Sequence, residues 1–575
     1  MAKYGSDLIV DLLHEYGIEY AALNPGSSYR GLHDSIVNYG ARRPEIITCP
    51  HEELAVEVAH GFARATGRPM AAIVHDVVGL LHASMAIYYA YLDRSPVLVL
   101  GATGPMDPSR RRTHIDWIHT AVAQGTAVRD FTKWDYQPVG PEDVVDSFAR
   151  AYRVAVSDPQ GPVYLCYDAG FQEDQLLETP SIPHPSQVVP TRISADPTSL
   201  RQLAQWLIAA EDPLIVADYV GREEAGFDAL VDLAELLAIP VVDRGQRLCF
   251  PTNHPLNLTG ADGLLEKCDL LLAIDVRDLS GAISRVDRVA RRTVRVLPAG
   301  CRIVEIGMGD IGIRSWSQEF EKLQPVDLSI LAHSAMALPD LLEHCRQLLE
   351  PSRHTALKAR AEGLKRQHLG LRVSWRQGAA EVAEAQPIAT AHFVNMIGEA
   401  IKDSDWVLTA NTVHEKARQL WDFRRPSSHA GKSLGTATQI GMSLGVALAH
   451  RGSDRLVVDI QPDGDLMFDL GALWVASHDK IPILVVMYNN RAYYNDWEHQ
   501  ILVAKDRNRD ESLAWLGMEI DRPAPDYAAI ARACGWHAEG PIEKPGDILG
   551  AVARAREVVL GQHRPALVDV VTQFV

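Results

Sequence analysis

Two rhythms of apolar residues run through the chain. Short β-branched and aliphatic runs alternate with stretches in which apolar residues recur every three or four positions. The first pattern predicts buried strands and the second predicts amphipathic helices. The clearest instance spans residues 456–497. A run LVVDI ends at Pro462-Asp463-Gly464-Asp465, and Leu466, Leu470, Leu473, Trp474 and Ala476 then follow at helical spacing. A second apolar run from Ile481 to Tyr488 closes on Asn489-Asn490. Strand, turn, helix and strand make one βαβ unit, and its polar residues stand where the strands end. In open α/β sheets that carboxyl edge is where ligands bind.

The same alternation predicts three α/β regions. In residues 1–180 a first helix precedes strand patterns at 20–23, 46–48, 71–75, 96–101 and 162–166, with a helix over 52–66. A Pro-rich linker follows at 180–190 (PSIPHPSQVVP). A second region, 190–350, offers strands at 213–218, 239–243, 269–275 and 302–307. Residues 351–385 are charged, with a helical pattern, and read as a surface connection. The third region, 386–575, holds the βαβ unit above. The expected fold class is α/β: three consecutive doubly wound domains with mainly parallel sheets.

Composition narrows the function. With 56 basic and 74 acidic residues the net charge is −18, which argues against nucleic acid or an anionic membrane as the main partner. No apolar run approaches the roughly 20 residues that span a bilayer, so no membrane partner is expected. The seven cysteines are scattered and never spaced as CxxC, which predicts free thiols in a reducing, cytoplasmic setting.

Candidate chemistry begins at the βαβ edge. Asp463 and Asn490 stand at neighbouring strand ends, and a carboxylate with an amide oxygen suits Mg²⁺. Gly464 would let backbone approach a diphosphate, beside Asp465. Residues 406–412 (WVLTANT) are another strand, ending in Asn411 and Thr412, further candidates for diphosphate contact.

The stretch resembles the metal-diphosphate motif of thiamine-diphosphate-dependent enzymes, GDG followed by NN, here written PDG because Pro462 replaces the first glycine. Pro462 removes a backbone N–H but leaves the Asp463 side chain untouched. The resemblance makes Asp463, Asn490 and the Ala492 carbonyl the Mg²⁺ ligands. A second segment, His51-Glu52-Glu53-Leu54-Ala55 continuing to Gly61-Phe62-Ala63-Arg64, resembles the family segment that carries the cofactor-activating glutamate. Glu52 is the matching residue. A desolvated carboxyl bonded to the aminopyrimidine ring favours the imino tautomer, which can deprotonate the thiazolium carbon.

Within the superfamily, Asn24-Pro25-Gly26-Ser27, His75, Lys133-Trp134-Asp135-Tyr136 and Ala472-Leu473-Trp474 are closest to benzoylformate decarboxylase and its relatives. Ser27 is then the substrate-facing serine, and His75 the proton-transfer group. Leu434 matches the bulky residue that keeps the cofactor bent. Arg110-Arg111-Arg112 reads as a solvated loop, or as a meeting point for an anionic substrate. The resemblance implies thiamine diphosphate and Mg²⁺ as cofactors, and a small 2-keto acid or related acyl compound as substrate. It also implies a homodimer or homotetramer whose sites join the Glu52 and Asp463 regions of different subunits. The expected reaction is non-oxidative decarboxylation to an aldehyde. Carboligation of the acetolactate-synthase type and 2-hydroxyacyl-CoA cleavage are the alternatives, and a non-catalytic homologue is disfavoured by intact Glu52, Asp463 and Asn490.

Overall fold

The computed structural model describes residues 3–112, 114–287, 292–311, 322–410, 412–431 and 436–574. Three parallel sheets carry the chain. The first comprises β1 (Tyr20–Leu23), β2 (Glu45–Thr48), β3 (Met70–Ile73), β4 (Val97–Thr103), β5 (Trp134–Tyr136) and β6 (Val163–Asp168), in the order β2-β1-β3-β4-β6-β5. The second holds β7 (Pro213–Ala217), β8 (Val241–Asp243), β9 (Leu270–Ile274), β12 (Arg302–Gly307) and β13 (Leu328–Leu331), in the order β13-β12-β9-β7-β8. An antiparallel hairpin, β10 (Ser284–Asp287) with β11 (Arg292–Arg295), interrupts it in sequence. The third is β14 (Trp406–Ala410), β15 (Leu456–Pro462), β16 (Leu484–Asn489), β17 (His537–Ile542) and β18 (Ala566–Val571), in the order β14-β15-β16-β18-β17.

The α/β class with doubly wound sheets is thus as the pattern predicts, because strands buried on both faces read as continuous apolar runs. Two details differ. The helical spacing after Gly464 is broken: one turn, Asp463–Leu466, stops, and a separate helix restarts at Gly471–His478. The polar connector forms a 28-residue helix, His354–Glu381. It also bridges two sheets, since His368 Nδ1 lies 2.8 Å from the Asn257 carbonyl and Arg372 donates to the Gln419 carbonyl at 2.8 Å.

One apolar cluster runs from the first region into the third. It joins Leu54, Val58 and Phe62 on the helix Glu52–Thr66 to Ile440 and Leu444 on the helix Gln439–Ala449, and on to Leu466 and Leu473. These two helices cross with almost no side chain between them. A Cβ on Gly61 would overlap the Met442 carbonyl oxygen, and one on Gly445 the Val58 carbonyl oxygen. Arg451 also reaches across to Glu45 at 2.6 Å, and the Thr48 N–H donates to Asp479 at 3.2 Å.

Candidate active site

In the first sheet the chain runs from β1 outward to β2 and then returns to β3 on the other side. That reversal opens a crevice at the carboxyl ends of β1 and β3. The turn after β1 brings Ser28 there, and the turn after β3 brings His75, with Ser28 Oγ 2.8 Å from His75 Nδ1. Ser27, the residue selected from sequence, accepts through its backbone carbonyl from Arg112 Nη1 at 3.1 Å, and the hydroxyl that meets His75 is that of Ser28. Arg112 also pairs with Asp116 at 3.0 Å, so this member of the basic run is held against the crevice and is not a free loop cation. On the far side, His75 Nε2 lies 3.3 Å from His119 Nδ1, with the rings edge to face. Sequence reading missed His119 because it comes from the loop beyond β4, where no periodicity marks it.

Burial lowers the His75 pKa, and the adjacent His119 lowers it further, so the imidazole is neutral near pH 7. Asp76, the next residue, is fully buried, and burial raises its carboxyl to about 6. The close N···N contact lets one ring donate an N–H to the other.

Glu52 opens its helix directly after the extended residue His51. Its side chain is 8% exposed, and Oε2 lies 3.1 Å from His82 Nδ1. The crevice-lining helix Asp76–Leu92 passes beside it at Gly79.

The second group of candidate residues stands at the carboxyl edge of the third sheet. Pro462, the last residue of β15, pairs in register with Tyr488 of β16, so Asp463 and Asn489-Asn490 emerge side by side. Asp463 is 2% exposed, and Oδ2 has no hydrogen-bond partner among the described residues. Burial pushes its pKa up to about 7, against the pull of the Gly464 and Arg491 N–H groups. Asp465 accepts from the Ala437 N–H at 2.7 Å through Oδ1, while Oδ2 is likewise unpartnered, and burial raises the group to about 6. Asn490 Oδ1 accepts from the Ala492 N–H at 3.0 Å and retains a second lone pair. Gly464 lies under Tyr493, whose ring would be 2.5 Å from a Cβ there. Asn489 donates to Asp569 at 2.9 Å and points into the sheet edge, so Asn490 is the one left at the surface of the edge.

A buried carboxylate oxygen with no donor, beside an amide oxygen with spare capacity, fits a hard divalent cation. Such a cation would also neutralise the Asp463 and Asp465 charges next to a bound diphosphate. Thr412 is exposed in the turn after β14. Asn411 and Leu434 lie outside the described residues. Within one chain the first and third regions pack together, Pro50 lying 2.6 Å from a Cβ position on Gly471 and the Glu52 helix crossing the Gln439 helix. A separate cavity of about 500 Å³ lies at the carboxyl ends of β7 and β8, but its Arg418 and Asp243 already pair at 2.7 Å.

Comparison with known proteins matches residues 3–124 to the thiamine pyrophosphate enzyme, N-terminal TPP binding domain. Residues 412–570 match the C-terminal TPP binding domain of the same enzymes. A probable acetolactate synthase large subunit from Methanocaldococcus jannaschii is 24% identical, over 99% of this chain and 91% of that protein. Benzoylformate decarboxylase from Pseudomonas aeruginosa is 25% identical, over 91% of each. Among solved structures, benzoylformate decarboxylase from Polynucleobacter necessarius superposes with a TM-score of 0.77 at 19% identity, covering 100% of this chain and 99% of that one. A thiamine diphosphate-dependent 4-hydroxybenzoylformate decarboxylase from Rhodococcus jostii gives 0.76 at 21%, covering 100% of both chains.

Proposed function

The chain belongs to the thiamine-diphosphate-dependent enzymes, and on that premise we propose that it is a Mg²⁺-assisted lyase that decarboxylates a small 2-keto acid to an aldehyde. The observation that carries this choice is the His75–His119 contact at the β1/β3 crevice, with Ser28 on the other face of His75. Aldehyde release requires a proton delivered to carbon after carbon dioxide leaves, and a neutral imidazole hydrogen-bonded to a second one is equipped for that.

Thiamine diphosphate, when bound, supplies the electron sink for the breaking carbon–carbon bond. The protein's own groups do the rest. Asp463 and Asn490, with the Ala492 carbonyl, would hold Mg²⁺, and Gly464 would let backbone approach the diphosphate. Glu52 holds or gives up a proton at its free oxygen, in a setting from which most water is excluded. His75 and His119 hold a proton at the substrate side, and Arg112, though paired with Asp116, adds positive potential for a substrate carboxylate. The family resemblance makes the active unit a homodimer or homotetramer. Light scattering on the loaded protein tests this, and full turnover by a monomer contradicts it.

Carboligation of the acetolactate-synthase type is the second reading, favoured by the likeness to acetolactate synthases over 99% of the chain. Calorimetric titration with thiamine diphosphate and Mg²⁺, then carbon dioxide release across aromatic, branched and acidic 2-keto acids, separates the readings. The expected result is saturable binding, with aldehyde as product. Glu52→Gln should then lower turnover by about 10²–10⁴-fold while retaining cofactor binding. No binding by the wild type, or unchanged turnover in the variant, removes the enzyme reading. Condensation products in place of aldehyde displace the decarboxylase in favour of the ligase.

A further inference from the structure

A carboxyl that manages a proton works best with one oxygen anchored and the other free. Glu52 has that arrangement, created by the helix beside it. His82 and Gly79 are three residues apart on the helix Asp76–Leu92, and therefore on one face. At His82 that face presents Nδ1 to Glu52 Oε2 at 3.1 Å. At Gly79 it presents nothing, and a Cβ there would lie 2.9 Å from Oε1. One oxygen is bound and the other has an open approach.

His82 is itself held. Its ring stacks on His51 with centroids 5.0 Å apart and planes inclined by 23°. Stacking fixes the direction in which Nδ1 points. In the single chain the His82 side chain is 50% exposed, while that of Glu52 is 8% exposed. The other titratable groups around this pair are His51 and Glu53 on the segment that carries Glu52, Tyr29 behind it, and His75 at the N-cap of the helix that carries His82. His51, Glu52 and His82 place three potential ligand atoms within 4.8 Å, but nearly parallel stacked rings aim their lone pairs side by side. Such rings do not converge on one ion, which leaves the hydrogen bond as the arrangement's purpose.

We propose that His82 is the positioning residue of Glu52: it anchors Oε2 and leaves Oε1 to face the cofactor. This rests on the reading of Glu52 as the cofactor-activating group.

Two measurements test it. In the cofactor-free protein with ¹⁵N-labelled histidine, the His82 Nδ1 signal, identified by its loss in His82→Asn, should shift in Glu52→Gln. In the loaded protein, deuterium exchange at the thiazolium carbon, read by acid quench, should slow about 10²-fold in His82→Ala at unchanged cofactor affinity. Added imidazole should restore part of that rate. The double variant Glu52→Gln/His82→Ala should exchange no more slowly than Glu52→Gln alone. Wild-type exchange in His82→Ala, multiplying effects in the double variant, or an unmoved His82 signal each overturn the proposal. Failure of the wild type to bind thiamine diphosphate by calorimetry would instead remove the functional reading beneath it.

Discussion

A methyl group added at residue 79 would stand 2.9 Å from Glu52 Oε1 and 3.2 Å from His75 Cβ, so two groups of the crevice meet at a single missing side chain. Helix propensity favours alanine over glycine by up to about 1 kcal/mol, so Gly79→Ala should fold normally and still lose function. Turnover is expected to fall about 10²-fold, with the unfolding temperature at or above that of wild type. A variant that is both stable and fully active would mean that Glu52 does not depend on this space. The same scale explains Ser27 and Ser28. They are adjacent and chemically identical, and only the short 3-10 turn at Ser27–Tyr29 decides which hydroxyl meets His75.

Between elements, the crossing of helices Glu52–Thr66 and Gln439–Ala449 packs the first region against the third. Gly61 and Gly445 allow backbone to lie against backbone, and the apolar cluster around Val58, Phe62 and Leu444 makes the crossing adhesive. Gly61→Ala or Gly445→Ala forces the helices apart, at a cost of about 3 kcal/mol. The expected readouts are a lowered unfolding temperature and a cofactor affinity that falls with it. Loss of stability with unchanged affinity would separate the crossing from the site. The break between Asp463–Leu466 and Gly471–His478 belongs to this scale too, because it lets Gly471 meet Pro50 just before the Glu52 helix.

Across the whole molecule, burial raises the pKa of several carboxyls. Asp459, in the middle of β15, is fully buried and raised to about 8, with Gln439 donating to its Oδ1 at 2.7 Å. A folded-state value above the unfolded one means the native chain binds the proton more tightly. The stabilisation is complete below the unfolded carboxylate range and is lost as pH rises through about 8. Asp459→Asn mimics the neutral form and does not titrate. Its stability relative to wild type should therefore rise by about 1.4 kcal/mol per pH unit between about pH 5 and pH 7 and level off above about pH 8. Groups common to both proteins cancel in that difference, and parallel unfolding curves would contradict the prediction.

Sequence alone determined the repeated α/β layout, because strands buried on both faces leave uninterrupted apolar runs that no other element explains as well. It also placed Glu52, Asp463 and Asn490 in a recognisable order, since that chemistry depends on residue type and on position at an element's end. Short or edge strands were less legible: Leu328–Leu331 and the hairpin Ser284–Asp287 with Arg292–Arg295 are half exposed or polar, and periodicity is weak there. What only the tertiary structure decided were contacts between residues far apart in sequence. The pairing of His75 with His119, of Glu52 with His82, and of the Glu52 helix with the Gln439 helix arises from sheet order and helix crossing. Local pattern carries no information about such contacts, because it records which face of an element is buried and not what buries it.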